Sequence, residues 1–509
     1  MNKMSFPSLR VDALTLILGL GETGVAAALW CAEHGAALRV LDTRANPGGL
    51  GALQEGLQGV QVDYRLGAEH FDEAVLDGVG TVVLSPGLSP LHEPVRSLLA
   101  QAAARDIEVI GEIELFARAL ADMADQGYSP RLLAVTGTNG KTTVTAMVRQ
   151  LVQASGMSVK AAGNISPAAL AALREALAED ALPDVWVLEL SSFQLEGIRS
   201  LAPDAAAVLN VTQDHLDWHG SMQAYTDAKA KLLHMAKVAI VNRDDPAVAG
   251  MVAEMQGMDV RSFGKDAPPY RGDLGLESSN GMQWLAAAEA DDFDLPVATG
   301  RRKKNAAAPL RADGRVVRLM PTDALRVRGQ HNALNALAAL ALVRCLGAGW
   351  AGMLHALRDY GGEPHRAEYV RSIGGVDFIN DSKGTNVGAT VAALEGMGQG
   401  VVLIAGGLGK GQDFSPLAKV VKQHARAVIL IGQDAAVIER VLSPTGVPVE
   451  HADTMAQAVS RSFALAEPGD AVLLSPACAS LDMFKNYGHR GRCFVDEVAE
   501  LALDRGEVA

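Results

Sequence analysis

Residues 131–143, RLLAVTGTNGKTT, constrain the fold of this chain more than any other stretch. An apolar run of strand length breaks into a glycine-rich loop ending Gly140-Lys141-Thr142. A helical pattern follows, with Val144, Met147, Val148, Leu151 and Val152 at helical spacing and Gly156 placed to stop it. A strand that feeds such a loop into a helix start aims backbone N–H groups at an anion. Lys141 can reach the outer phosphates and the Thr142 hydroxyl can hold Mg²⁺. The stretch predicts an α/β fold around a parallel sheet and a nucleoside triphosphate as ligand. It departs from the common phosphate loop, which has glycine five positions before Gly140 where this chain has Val135. A glycine-rich turn without a ligand is the plainer reading; the strand, the Lys-Thr pair and the helix together weigh against it.

With 509 residues, 49% of them hydrophobic, the chain is long enough for three domains, each expected to have its own core. The formal charge, 45 − 59 = −14, argues against a nucleic acid or an anionic membrane surface as the main partner. Cys31, Cys345, Cys478 and Cys493 are scattered without metal spacing or a disulfide framework, which fits reduced thiols in a cytoplasmic protein. Lys3 and Arg10 before LTLILGL imitate a secretory signal. Asp12 and Glu22 bracket that run at strand length, however, and a strand-to-helix turn fits the glycines better than a cleavage site. No apolar stretch is long and uncharged enough to span a bilayer.

From Leu14 to Glu108 the runs LTLIL, ALRVLD, VQVDYRL, TVVLSPG and IEVIG alternate with helical segments, a βαβ series. Its first turn, Gly19-Leu20-Gly21-Glu22-Thr23-Gly24, with Asp42 closing the second strand, matches a dinucleotide fingerprint. The same turn suits a UDP group, so it indicates a nucleotide diphosphate without specifying hydride transfer. A second block starts near Gly111 and continues through SVKAAGN, VWVLELSS and AAAVLNVT. Residues 286–312 mix acidic, basic and small residues without period and are expected to form a solvated surface insertion, Arg301–Lys304 included. After HNALNALAALALVRCLG and Gly361-Gly362, a third block repeats the theme in GVDFIND, GVVLIAGG, AVILIGQD and DAVLLSPA.

Glu189, ending VWVLELSS, is the natural second Mg²⁺ ligand, since it lies on a strand beside the phosphate strand and among apolar residues where an unpaired charge is expensive. A strand-end charge in water is its plainer reading. His215 sits among Asp214, Asp217 and His219; each alone reads as a loop residue, and together they read as a metal or substrate corner. Lys229, in AYTDAKAKLLHMAK, reads from composition as a surface lysine. Asp381 and Lys383 in INDSKGTN, and Lys410 in GGLGKGQDF, lie in polar turns directly after buried-type strands, which suits anion binding as well as it suits an ordinary loop.

GTNGKTT, LELSSFQL, NVTQDHLD, GQHNALNALAAL, PHRAE, NDSKGTN and LSPACASLDMFKNYGHRG, in this order, resemble the Mur ligases of peptidoglycan synthesis over nearly the whole chain. That family's phosphate loop has the shortened form seen here. GGLGKGQDF and SPACASLDMF are similar to the members that add D-glutamate to UDP-N-acetylmuramoyl-L-alanine, and the Asp-Asn-Pro-Arg signature of the diamino-acid-adding members is absent.

The resemblance implies three domains: a Rossmann-like UDP-binding domain at 1–110, a central ATP-binding domain at 111–362 and a Rossmann-like amino-acid-binding domain at 363–509. It implies that Gly137, Thr138, Asn139, Gly140, Lys141, Thr142 and Thr143 bind ATP, with Asn332, Asn335, Arg366 and Asp381 around the nucleotide. Thr142 and Glu189 would hold one Mg²⁺; His215 and a carbamylated Lys229 would serve a second. Addition of CO₂ turns a cation into the oxygen-bearing anion that Mg²⁺ prefers. Lys141, Glu189, His215 and Lys229 form the implied catalytic set. The UDP end would sit on Leu20, Thr23, Asp42, Thr43, Arg44, Ser85, Pro86 and Gly87, and the muramoyl-alanine part near Asn164, Ser191 and Gln194. Thr385, Lys410, Ser480 and Tyr487 would receive D-glutamate, with Tyr487 standing where Phe is familiar. A monomer acting on small molecules is expected.

The implied chemistry is attack of the alanyl carboxylate on the γ-phosphate of ATP, then capture of the acyl phosphate by the amine of D-glutamate. Closure about a hinge near Gly361-Gly362 would exclude water, and unchanged dihedrals between Asp359 and His365 in open and closed forms would refute that placement. A folylpolyglutamate-type ligase shares the loop but not the N-terminal domain or SPACASLD. A nucleotide switch would need no amino-acid pocket. A dehydrogenase built on GLGETG leaves the phosphate loop unexplained.

Overall fold

The computed structural model describes residues 4–253, 255, 257–290, 312–327 and 329–507. Three sheets organise them. The first contains β1 (Leu14–Leu18), β2 (Leu38–Asp42), β3 (Val62–Leu66), β4 (Val79–Leu84) and β5 (Glu108–Ile110), all parallel, in the order β3-β2-β1-β4-β5. Strand order reverses between β1 and β4, which sets the Gly19 turn beside Ser85 and opens the crevice in which such sheets take ligands.

The second contains β6 (Arg131–Thr136), β7 (Val159–Gly163), β8 (Val185–Glu189), β9 (Ala205–Val208), β10 (Val238–Asn242), β11 (Asp259–Phe263), β12 (Leu274–Ser279), β13 (Met282–Glu289) and β14 (Arg315–Pro321). Their order is β14-β13-β12-β11-β10-β9-β6-β8-β7, so the phosphate strand β6 lies between β8 and β9. The third contains β15 (Glu368–Ile373), β16 (Val376–Asn380), β17 (Val401–Gly406), β18 (Ala425–Ile431), β19 (Val449–His451) and β20 (Ala471–Leu474), ordered β15-β16-β20-β17-β18-β19, with only β15 antiparallel to its neighbour.

The chain divides into two compact units, Met1–Val211 with His215–Met320 and Ala336–Leu357, and Thr212–Asp214 with Pro321–Asn335 and Arg358–Ala509. Each of the first two sheets has an apolar cluster of its own, around Leu16, Leu41 and Val82 in the first and around Val208, Leu233 and Val241 in the second, and the two also share a layer. One apolar layer runs through Ile17, Trp30, Phe116, Leu170 and Trp186 without interruption. The cause lies in side-chain size. Ala26, Ala27 and Ala28 on helix Glu22–Glu33 and Ala169 and Ala172 on helix Ala169–Ala178 let the helices between the sheets approach closely, and Phe116 meets Trp186 edge-on at 5.2 Å. In the second unit the sheet is covered on both faces. Leu403 and Leu430 point to one layer, Ile404 and Ile429 to the other, which is why its central strands read as unbroken apolar runs.

The reading of 286–312 as a surface insertion is corrected at its start. Ala286, Ala287 and Ala288 are buried in β13, paired with Gly275, Leu274 and their neighbours on β12; small side chains gave no strand signal there. Residues 291–311, including Arg301–Lys304, lie outside the described residues.

Glu112 opens helix Glu112–Ala124 and is 4% exposed, its Oε1 accepting the Leu170 backbone N–H at 2.6 Å. Burial raises its carboxyl from 4.5 to about 7, against the pull of that hydrogen bond. An acid whose folded value is raised contributes stability that is complete below pH 4.5 and is lost as pH climbs to about 7. Glu112→Gln removes this loss. The variant should gain on the wild type by about 3 kcal/mol at most between pH 4.5 and 8, read as the change in their stability difference in urea unfolding. A pH-independent difference contradicts it.

Candidate active site

The phosphate loop connects β6 to helix Lys141–Ala154. Gly140, at φ +83°, takes the left-handed conformation that a side chain resists. Lys141 Nζ donates to the carbonyls of Gly137 and Thr138 at 2.8 and 2.9 Å, so the ammonium is folded over the loop. Two residues that the sequence reading missed brace it. Asn210, at the tip after β9, accepts the Asn139 N–H at 2.8 Å, donates to the Asn139 carbonyl at 3.1 Å, and its own carbonyl takes the Thr138 N–H. Tyr225 meets the Thr138 hydroxyl at 2.9 Å. Their signals were a polar residue at a neighbouring strand tip and a tyrosine one helical turn before Lys229.

Glu189 ends β8 beside Val135 of β6 and is 1% exposed. Asn164 Nδ2 donates to its Oε1 at 2.8 Å, whereas Oε2 is buried without a hydrogen-bond partner among the described residues. A buried carboxylate oxygen left open next to a phosphate loop fits a hard cation, and the Thr142 hydroxyl at the helix start is of the right kind to join it.

Lys229 is not the surface residue that composition indicates: it is 1% exposed, its Nζ 4.5 Å from the centre of the Tyr225 ring. Its helix turns that face inward with Tyr225, Leu232 and Leu233. Among the described residues no three or more His, Cys, Asp or Glu groups cluster to hold a metal, so the corner of Asp214, His215, Asp217 and His219 is not a metal cage built from those groups alone, and its reading as a substrate corner is unaffected. Asp217 is exposed and His219 is buried, its Nε2 2.9 Å from the Ser192 hydroxyl. Burial, with Lys229 nearby, depresses His219 to about 4 and keeps the ring neutral. His215 has φ +54° at the start of helix Leu216–His219 and lies edge-on to Phe193 at 4.6 Å.

At the UDP-type turn, Asp42 is 2% exposed and takes the Leu20 N–H at 2.8 Å and the Arg44 guanidinium at 2.8 and 2.7 Å. Burial opposes its ionisation, but these hydrogen bonds outweigh it and hold the carboxyl below its ordinary value. Thr43 follows it, half-buried. Ser85 donates to the Gly19 carbonyl at 2.7 Å, with Pro86 half-buried and Gly87 exposed after it. Thr23 lies in the first turn of its helix. Ser191 and Gln194 cap helix Ser192–Glu196 reciprocally, so both are fixed by backbone hydrogen bonds.

In the second unit, Asn332 and Arg366 line a cavity of about 630 Å³, and Asn335 Nδ2 donates to Asn332 Oδ1 at 3.3 Å. Asp381 accepts from Ser475 Oγ at 2.7 Å and from the Ala367 N–H at 3.2 Å, and burial raises it to about 6. The turns carrying Thr385, Lys410, Ser480 and Tyr487 are tied together. Leu408 and Ala479 exchange backbone hydrogen bonds at 2.9 Å, joining the Lys410 turn, where Lys410 has φ +53°, to the Ser480 segment. Ser382 donates to the Tyr487 carbonyl at 2.8 Å, and Lys383 Nζ lies 3.7 Å over the Tyr487 ring.

Arg490, also missed from sequence, is fully buried and donates to Ser382 Oγ and to the carbonyls of Ser382 and Cys478 at 2.9–3.1 Å. Burial lowers it to about 10. Arg490→Leu strands two buried carbonyls and should lower the stability of this unit by about 2–4 kcal/mol in chemical unfolding. An unchanged midpoint would show that the turns hold without it.

Two βαβ-type units, one with a phosphate loop beside a buried carboxylate and one with clustered polar turns, supply the parts of a nucleotide-dependent enzyme. The chain belongs to the Mur ligase family: the Mur ligase MurD-like N-terminal domain matches residues 13–111, the Mur ligase middle domain 135–343, and the Mur ligase glutamate ligase domain 365–478. It is 68% identical to the UDP-N-acetylmuramoylalanine–D-glutamate ligase of Bordetella bronchiseptica over 97% of this chain and 98% of that one, and 54% identical to that of Burkholderia cenocepacia over 98% and 99%. The fold is also that of MurF ligase from Thermotoga maritima, solved in complex with ADP, at 16% identity and TM-score 0.56, covering 99% of this chain and 98% of that one. No helix among the described residues is long and apolar enough to cross a membrane.

Proposed function

We propose that this protein joins D-glutamate to the alanyl carboxyl of UDP-N-acetylmuramoyl-L-alanine, converting ATP to ADP and phosphate, as a cytoplasmic monomer in peptidoglycan precursor synthesis. The observation that carries the reading is Lys141 folded over a phosphate loop beside the open oxygen of Glu189, in a chain 68% identical throughout to a D-glutamate-adding relative.

A carboxylate is a poor acyl donor. Lys141 neutralises charge as the γ-phosphoryl group passes to the alanyl carboxylate, and the amine of D-glutamate then displaces phosphate through a tetrahedral intermediate. Thr142 and Glu189 would hold one Mg²⁺, and His215 with a carbamylated Lys229 would serve a second; such ions would supply charge neutralisation on the phosphates. Asn332, Asn335, Arg366 and Asp381 take the nucleotide. Asp42 and Arg44 order the turn that receives UDP with Leu20, Thr23, Thr43 and Ser85–Gly87. Asn164, Ser191 and Gln194 face the muramoyl-alanine arm, and Thr385, Lys410, Ser480 and Tyr487 the incoming amino acid. The functional boundaries fall at 110/111 and 362/363, with Gly361-Gly362 at the hinge.

Phosphate release from ATP with UDP-N-acetylmuramoyl-L-alanine tests the reading when D-glutamate, L-glutamate and other amino acids are compared. D-Glutamate should stimulate release most. Stronger stimulation by any other amino acid refutes the specificity.

A further inference from the structure

D-Glutamate brings three charged groups to its site, two carboxylates and an ammonium. The residues proposed to receive it, Thr385, Lys410, Ser480 and Tyr487, offer two aliphatic hydroxyls, a cation and a phenol. Hydroxyls and a lysine suit the carboxylates, but none of the four is an anion that balances the ammonium. A cation taken from water without such a partner is costly, so the set is short of one carboxylate.

Asp214, in the segment after β9, is placed to supply it. Thr212–Asp214 belongs to the same compact unit as the four turns, and Asp214 is half-buried there. Asn386 Nδ2 donates to Asp214 Oδ2 at 3.3 Å. Asn386 directly follows Thr385 and is 4% exposed, and its amide is oriented from the other end: Oδ1 accepts the Ala389 N–H at 2.9 Å and caps helix Val387–Gly396. The same segment is bonded to the other turns. Val387 N–H donates to Gln412 Oε1 at 3.1 Å, Gln412 Nε2 to the Ala477 carbonyl at 2.7 Å, and Ala477 N–H to the Gly384 carbonyl at 2.9 Å. Asp214 is thereby fixed to the frame that carries the Thr385, Lys410 and Ser480 turns. A carboxylate has about four acceptor positions, so the Asn386 bond orients Asp214 without exhausting it. Asp434 and Asp482 serve the frame itself, taking the backbone N–H of Gly409 at 2.6 Å and of Gln433 at 2.9 Å.

We propose that Asp214 receives the ammonium of the incoming amino acid, with Asn386 holding its carboxylate toward the Thr385 turn. The inference rests on the proposed function and makes Asp214 a specificity-determining residue for an amino acid as against a plain dicarboxylate.

Steady-state kinetics of the full chain test it, with glutarate, the same dicarboxylate without the amine, as inhibitor against D-glutamate. In wild type the inhibition constant of glutarate should exceed KM for D-glutamate at least about tenfold, an arm that decides the matter even if the variant does not fold. Asp214→Asn keeps the shape and an acceptor for Asn386 and removes the charge. It should raise KM for D-glutamate about thirtyfold while the inhibition constant of glutarate changes less than about twofold. Glutarate binding as tightly as D-glutamate in wild type overturns the assignment. So does an unchanged KM in Asp214→Asn, or a parallel loss of both ligands, which would mean that Asp214 only shapes the turns. All three leave the ligase reading intact. A wild type that makes no product from UDP-N-acetylmuramoyl-L-alanine and D-glutamate overturns both.

Discussion

Lys141→Ala should reduce ATP-dependent ligation by about 10³-fold or more while leaving the fold in place. The ammonium donates to the carbonyls of Gly137 and Thr138 of its own loop and is half-buried. Its positive charge matters most when negative charge moves between the γ-phosphate and the carboxylate. The loss therefore belongs in kcat, with thermal unfolding moved by no more than a few degrees. Lys141→Arg should recover little, because a planar fork does not fit a loop that Asn210 and Tyr225 fix around a point charge. Retention of a tenth or more of wild-type turnover by Lys141→Ala would remove the loop from the chemistry.

Lys229→Ala should cost about 10²–10³-fold in turnover, and short carboxylic acids should restore part of it. Lys229 is 1% exposed on a helix whose neighbouring Tyr225 also holds Thr138, so a change there reaches the phosphate loop through one side chain. If the working group is a carbamate, deletion leaves both a cavity and a missing anion, and acetate or formate supplies both. The discriminating control is Tyr225→Phe, which loosens Thr138 while keeping Lys229 and the ring beneath it. It should lose activity that no acid restores. Full activity of Lys229→Ala, or a loss that acids never relieve in a folded protein, contradicts the carbamate.

Much of this architecture was legible in the chain because its strands end in chemistry. LTLIL, VWVLE and VVLIAGG are buried on both faces, read as unbroken apolar runs, and stop at the turns where ligands gather. The strands beyond β9 were harder. LGLESS and RVVRLMP lie toward the β14 end of the central sheet and carry mixed polarity, and alanine in β13 has no strand preference to betray it.

The phosphate loop and Glu189 were visible because each combines a special residue with a strand end. Lys229 and Arg490 were not, since burial of a cation depends on what the opposite element supplies. For Arg490 that is two carbonyls from turns about a hundred and about a dozen residues away. The layer shared by the first two sheets was hidden for a related reason. Alanine-rich helix faces look merely neutral in sequence, yet they allow the close approach that fuses the first two sheets into one unit.

The central claim is that ATP activates the alanyl carboxyl through an acyl phosphate. Its most direct test is UDP-N-acetylmuramoyl-L-alanine labelled with ¹⁸O in that carboxylate, turned over with ATP and D-glutamate, with the released phosphate analysed by mass. One ¹⁸O in each phosphate is the predicted result, because the oxygen that attacks phosphorus leaves with it. Phosphate free of label, alongside normal amide formation, would contradict the account.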